Sequence, residues 1–84
     1  MHKEDIKKII GKGISCSYLE VMGDDGAHFE TIVVSDEFAG INRVARHQLV
    51  YKALGDLMKE KIHALSMKLY DVNEWKNIKG DSSK

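Results

Sequence analysis

With 84 residues, 43% of them apolar, the chain is long enough for one packed core and too short for two. Thirteen basic residues balance thirteen acidic ones, so no long-range field draws the whole molecule onto nucleic acid or an anionic membrane. The single cysteine, Cys16, excludes an internal disulfide and suits a reducing compartment, and no apolar run approaches the ~20 residues of a membrane span. The polar start, Met1-His2-Lys3-Glu4-Asp5, has no signal-peptide character, and the expected location is the cytoplasm.

The first predicted element is a helix from about Lys3 to Lys12. Ile6, Ile9 and Ile10 make one apolar face, Glu4 and Asp5 occupy the first turn, and Lys7, Lys8 and Lys12 follow, the order that the helix dipole favours. Gly11 and Gly13 are read as its stop, and His2 as part of a loose terminus. Two strands come next, Ser15 to Met22 and His28 to Ser35. They are joined by Gly23-Asp24-Asp25-Gly26-Ala27, whose Asp-Gly pair predicts an antiparallel hairpin. The polar loop Ser35 to Gly40 carries one residue expected to be buried, Phe38.

Asn42 is a good N-cap for the longest helix, Arg43 to about Lys59. Val50, Ala53, Leu54, Leu57 and Met58 form its expected core face, with Val44 and His47 earlier on it, and Gly55 is a point of division. A third strand, Ile62 to Tyr70, follows. Asp71-Val72-Asn73-Glu74 then reads as a capping box opening a short helix that carries Trp75. The expected domain is 1–79, with 80–84 as a disordered tail. The order α-β-β-α-β-α defines an α/β (α+β) domain with a three-stranded mixed sheet, its second and third strands parallel through a right-handed crossover.

The run Phe38-Ala39-Gly40-Ile41-Asn42-Arg43-Val44-Ala45-Arg46-His47-Gln48-Leu49-Val50-Tyr51 resembles the central signature of the BolA family. Ile62-His63-Ala64-Leu65-Ser66-Met67-Lys68, followed by Glu74-Trp75, resembles the C-terminal signature, and the hairpin with His28-Phe29 also matches. The likeness spans roughly residues 3–77 and is nearest the short, IbaG-like branch. It implies helices packed on one face of the sheet, as in a type II KH domain, and a non-enzymatic adaptor or regulator. It further implies a monothiol glutaredoxin as partner, with which a 2Fe–2S cluster is shared and for which glutathione comes with the partner. A role in iron handling, or in transcription and the stress response, goes with that.

The residues are consistent with sharing. A 2Fe–2S cluster needs four ligands, usually thiolates with histidine possible at one iron, and a chain with one cysteine, four histidines and no Cys-x-x-Cys pair is a poor sole host. The isolated chain is accordingly expected to bind none and to be a monomer or weak dimer. The resemblance makes His63, at the start of the third strand, one ligand, and places a cysteine or histidine in or near the hairpin loop as the other. Gly23 to Ala27 contains neither, which leaves His28 and Cys16. Parallel strands two and three begin at the same end of the sheet, placing His28 beside His63, whereas Cys16 begins a strand of opposite direction roughly 20 Å away. Strand geometry therefore favours His28. Cys16 reads as a small apolar residue, and His47 as a residue that packs or hydrogen-bonds between helix and core.

The alternative partner is DNA, contacted by Arg43, Arg46 and Lys52 along the long helix, although a charged helix face is ordinarily just solvated. The only Gly-x-x-Gly, Gly23 to Gly26, lies in a hairpin and carries two acids, which argues against RNA binding in the KH manner. No phosphate loop, metal-hydrolase motif or nucleophile elbow is present, and no enzymatic activity is expected.

Overall fold

In a computed structural model, residues 2–23, 25, 28–55 and 64–82 are described. Helix α1 is Lys3–Gly13, and His2 is its N-cap, with Nδ1 accepting from the Glu4 amide at 3.2 Å. That replaces the loose terminus expected from sequence. Gly11 lies inside α1, whereas Gly13 is its last residue, as the expected stop requires. A Cβ on Gly13 would stand 2.8 Å from that of Ala53, so this glycine lets the end of α1 approach the second helix closely.

Strands β1 (Tyr18–Met22) and β2 (His28–Val34) pair antiparallel, from Tyr18 opposite Val34 to Met22 opposite Glu30. Strand β3 (Ala64–Tyr70) pairs parallel to β2, from His28 opposite Ala64 to Val34 opposite Tyr70. The order β1-β2-β3 puts β2 in the centre. After β2 the chain makes a 3₁₀ turn at Asp36–Phe38, capped by Ser35, whose hydroxyl also donates to the Ser15 carbonyl at 2.6 Å. Phe38 is fully buried, as expected.

Helix α2 is Arg43–Leu54, opened by Asn42, whose side chain accepts from the Ala45 amide at 2.9 Å. It ends at Gly55, which adopts φ +60°. The expected continuation to Lys59, with Leu57 and Met58, lies outside the described residues. The buried stripe of α2 is Arg46, Val50 and Leu54. Val44 is 67% exposed rather than on the core face, because it stands about 200° round the helix from Arg46.

Side-chain alternation divides the sheet into two faces. One presents Val21, Phe29, Val33 and Leu69, which pack with Ile6 and Ile10 of α1 and Val50 and Leu54 of α2 as the main core. The opposite face begins with the cross-strand row Tyr18, Val34 and Tyr70. Helix α3 (Val72–Ser82) opens with the expected capping box: the Glu74 amide donates to Asp71 Oδ1 and the Asp71 amide to Glu74 Oε1, both at 2.8 Å. Its Trp75 stacks on Tyr18 at 5.1 Å between centroids and lies 5.7 Å from Tyr70. Val34, in the same row, is fully buried.

The α+β class with a three-stranded mixed sheet is as expected from sequence. The one-sided packing of helices holds for α1 and α2, whereas Trp75 of α3 covers one end of the other face. Helix α3 also runs past Lys79 to Ser82.

Candidate functional site

The hairpin end of the sheet is built on Gly23. Its φ is +154°, and a Cβ there would stand 2.6 Å from the His28 carbonyl oxygen and 2.7 Å from the Phe29 ring. Only glycine lets the chain pass so close, and this passage sets where β2 begins. Asp25 then holds His28 twice. Its Oδ1 accepts from the His28 amide and its Oδ2 pairs with His28 Nδ1, each at 2.8 Å. The two side chains are 65% and 53% exposed, so the pair adds little stability. Its consequence is orientation, since a carboxylate on one ring nitrogen fixes the plane of the imidazole.

Around this pair lies an open cleft of about 580 Å³, bordered by Met22, Glu30, Leu65 and Ser66. His63 is outside the described residues; its chain neighbour Ala64 is the residue that pairs with His28. Cys16 belongs to the other end. It precedes Tyr18, which pairs with Val34, and seven-residue β2 spans roughly 20 Å from His28 to there. The Cys16 thiol donates to the Ile14 carbonyl at 3.3 Å. Burial pushes its pKa up and the Glu37 charge pushes the same way, disfavouring the thiolate that a metal would need.

Among the described residues no three His, Cys, Asp or Glu side chains come together as a metal site. The donors present fit a cluster only as a shared ligand set, with imidazole nitrogen from this chain and the remaining ligands from elsewhere.

The basic residues of α2 do not form one face. Arg43 and Lys52 are exposed, but Arg46 is only 7% exposed. Its Nε donates to the Ile41 carbonyl and its Nη1 to that of Leu69, both at 3.1 Å. Nη1 also pairs with Glu74 Oε1 at 2.7 Å, Nη2 lies 3.8 Å from Asp71 Oδ2, and the guanidinium sits 5.9 Å from the Phe38 ring centroid. Arg46 is therefore a clasp joining α2 to the β3–α3 junction, and the expectation that it contacts DNA is corrected: its fork is already filled. Asp71 and Arg46 hold the Glu74 carboxyl below the usual carboxylate range.

Two arrangements escaped the sequence reading. From sequence Asp25 has the character of a turn residue alone, although its three-residue spacing to His28 across the hairpin is the available signal. His47 is half-buried as expected, but it also borders, with Arg43, a pocket along β3 that only the packing of α2 beside β3 creates.

Fold and site together define a small α+β domain whose sheet has one end sealed by α3 and one end open and polar. Among the described residues no helix is long and apolar enough to cross a membrane. Residues 11–74 match the BolA-like protein family, and the chain belongs to that family.

The acid stress protein IbaG of Escherichia coli is 36% identical over 76 residues, 89% of each chain. The DNA-binding transcriptional regulator BolA of Vibrio cholerae is 43% identical over 56 residues, 67% of this chain and 53% of that protein. This chain thus matches about half the length of that regulator. A solved BolA homologue from Coxiella burnetii superposes with a TM-score of 0.75 at 40% identity, covering 90% of this chain and 97% of the other. These named relatives are regulators or stress proteins, and none of those names describes an enzyme.

Proposed function

We propose that this chain is an adaptor that partners a monothiol glutaredoxin and contributes imidazole nitrogen, from His28 and His63, to a shared 2Fe–2S cluster. The observation that carries the reading is the Asp25–His28 pair at the open end of the sheet, 2.8 Å from carboxylate to Nδ1. That is the support a ligating histidine usually has. The donor count agrees, because thiolates and glutathione from the partner complete what one half-buried cysteine cannot. When bound, the cluster would supply electron-transfer and iron-donating chemistry. The chain itself supplies ring orientation and a docking cleft.

The test mixes the protein with a monothiol glutaredoxin, ferrous iron, sulfide and glutathione, and compares the visible spectrum with that of glutaredoxin alone. The expected result is an altered spectrum and a heterodimer on gel filtration, both lost in His63→Ala. An unchanged spectrum with no heterodimer overturns the reading.

The second reading is a DNA-binding regulator, favoured by the name of the Vibrio cholerae relative. With Arg46 buried, it would rest on Arg43 and Lys52. Salt-dependent binding to a duplex, weakened by Arg43→Gln, is its expected signature. No binding at low salt ends it.

A further inference from the structure

Helix α2 inverts the usual order of a surface helix. Its buried stripe includes a charged residue, Arg46, while its outer side carries Val44, 67% exposed, and Tyr51, 43% exposed. The half-buried Ala45 and Leu49 and the exposed Gln48 complete that side, and Lys52 is the one charge among them. Ile41, Ala45 and Leu49 line an open groove of about 650 Å³ between α2 and the 3₁₀ turn, with Glu37 on one rim and Gln48 and Lys52 on the other. Exposed apolar side chains gathered along one helix mark a contact surface.

This side of α2 is complementary to itself. Val44 and Tyr51 are seven residues apart, close to two turns, and so lie on the same edge of it. Along the axis, Val44 stands about 6 Å before Gln48 and Tyr51 about 4.5 Å after it. A second α2 laid antiparallel, with a two-fold axis at Gln48, therefore sets each Val44 beside the Tyr51 of the other copy. The same operation carries each Lys52 to the other copy's groove, on the side of its Glu37. Neither Lys52 nor Glu37 has a salt-bridge partner among the described residues. Glu37 Oε2 accepts from the Ser15 amide, which fixes the carboxylate on the rim. The two Gln48 amides meet at the axis, where each can donate to and accept from the other. Antiparallel helices oppose their dipoles, and a formal net charge of zero leaves no overall repulsion between copies.

We propose that the outer side of α2 is a homodimer interface, occupied by a second copy of this chain in an antiparallel, two-fold arrangement. The contact is one helix face wide, at the small end of specific interfaces, so its dissociation constant is expected between about 10 μM and about 1 mM. The interface faces away from the core and the sheet, and it stands or falls independently of the shared-cluster reading.

Sedimentation velocity of the full chain, from about 10 μM to about 1 mM, measures the association. A reversible monomer–dimer equilibrium is expected. Gln48→Glu puts like charges face to face at the axis and should weaken the dimer about tenfold. Lys52→Glu and Glu37→Lys each turn an attraction into a repulsion, counted twice by the symmetry, and should weaken it about fivefold. Mixed in equal amounts, these last two variants should recover association to within about threefold of the unsubstituted chain, because both cross-pairs are again opposite in sign. Lys8→Gln on α1 should have no effect.

All four positions are exposed, and a dispersed NMR spectrum confirms folding. If Glu37→Lys does not fold, Gln48→Glu and Lys52→Glu decide the matter alone. A chain that stays monomeric at about 1 mM leaves this face to a different protein and overturns the proposal. A dimer that survives both Gln48→Glu and Lys52→Glu, or a mixture of the two folded charge-reversed variants that stays monomeric, overturns it equally.

Discussion

The two ends of the sheet are built to opposite specifications. At the Tyr70 end, one guanidinium satisfies two carbonyls and two carboxylates, a reciprocal capping box starts α3, and Trp75 stacks over the tyrosine row. At the His28 end, an exposed histidine–carboxylate hydrogen bond stands beside an open cleft on a hairpin that needs glycine to close. One end contributes stability and the other contributes reactive groups, so substitutions at the two ends should have separable consequences. Sites that must meet a partner come from the less tightly packed parts of a fold.

The largest effect is expected at the clasp. Arg46→Met should cost about 3 kcal/mol, because it strands the Ile41 and Leu69 carbonyls and leaves Asp71 and Glu74 without their cation. A urea titration measures this; a loss below about 1 kcal/mol would show the junction to be held by packing alone. Next comes Trp75→Ala, at about 2 kcal/mol. That is less than for a fully enclosed tryptophan, because this ring is half-buried, and the loss should be accompanied by exposure of Val34.

The acid response is smaller. The folded state holds the Glu74 pKa below its ordinary 4.5, so its contribution is complete above that value and is lost as pH falls through the depressed folded value. Glu74→Gln should flatten this part of the stability-versus-pH curve, and an identical slope in the variant would assign it to other carboxylates. Smallest of all, His28→Ala should change stability by less than about 0.5 kcal/mol, because the ring and its Asp25 partner are both largely exposed. A large loss there would break the contrast between the two ends.

The packed end was legible where local chemistry decides structure. Asn42 and the Asp71-Glu74 pair announce their helices because caps act within four residues. The parallel pairing of β2 with β3 follows from the helix between them, and it brings His28 level with Ala64. Arg46 could not be placed from sequence. An arginine on a helix reads as solvated, and its burial depends on carbonyls and carboxylates supplied by Ile41, Leu69, Asp71 and Glu74, as much as 28 residues away. The capping box puts Trp75 on a helix, but its choice of face is set by the parity of Tyr18 and Tyr70, which becomes visible only once the register is known.

The central claim is that imidazole at the open end of the sheet ligates an iron shared with a glutaredoxin. Pulsed EPR tests it directly, using the reduced heterocomplex with ¹⁵N-histidine in this chain and an unlabelled partner. The account predicts ¹⁵N hyperfine coupling to the cluster, with one component removed by His28→Ala. A spectrum without ¹⁵N coupling, or one that His28→Ala leaves unchanged, would contradict it.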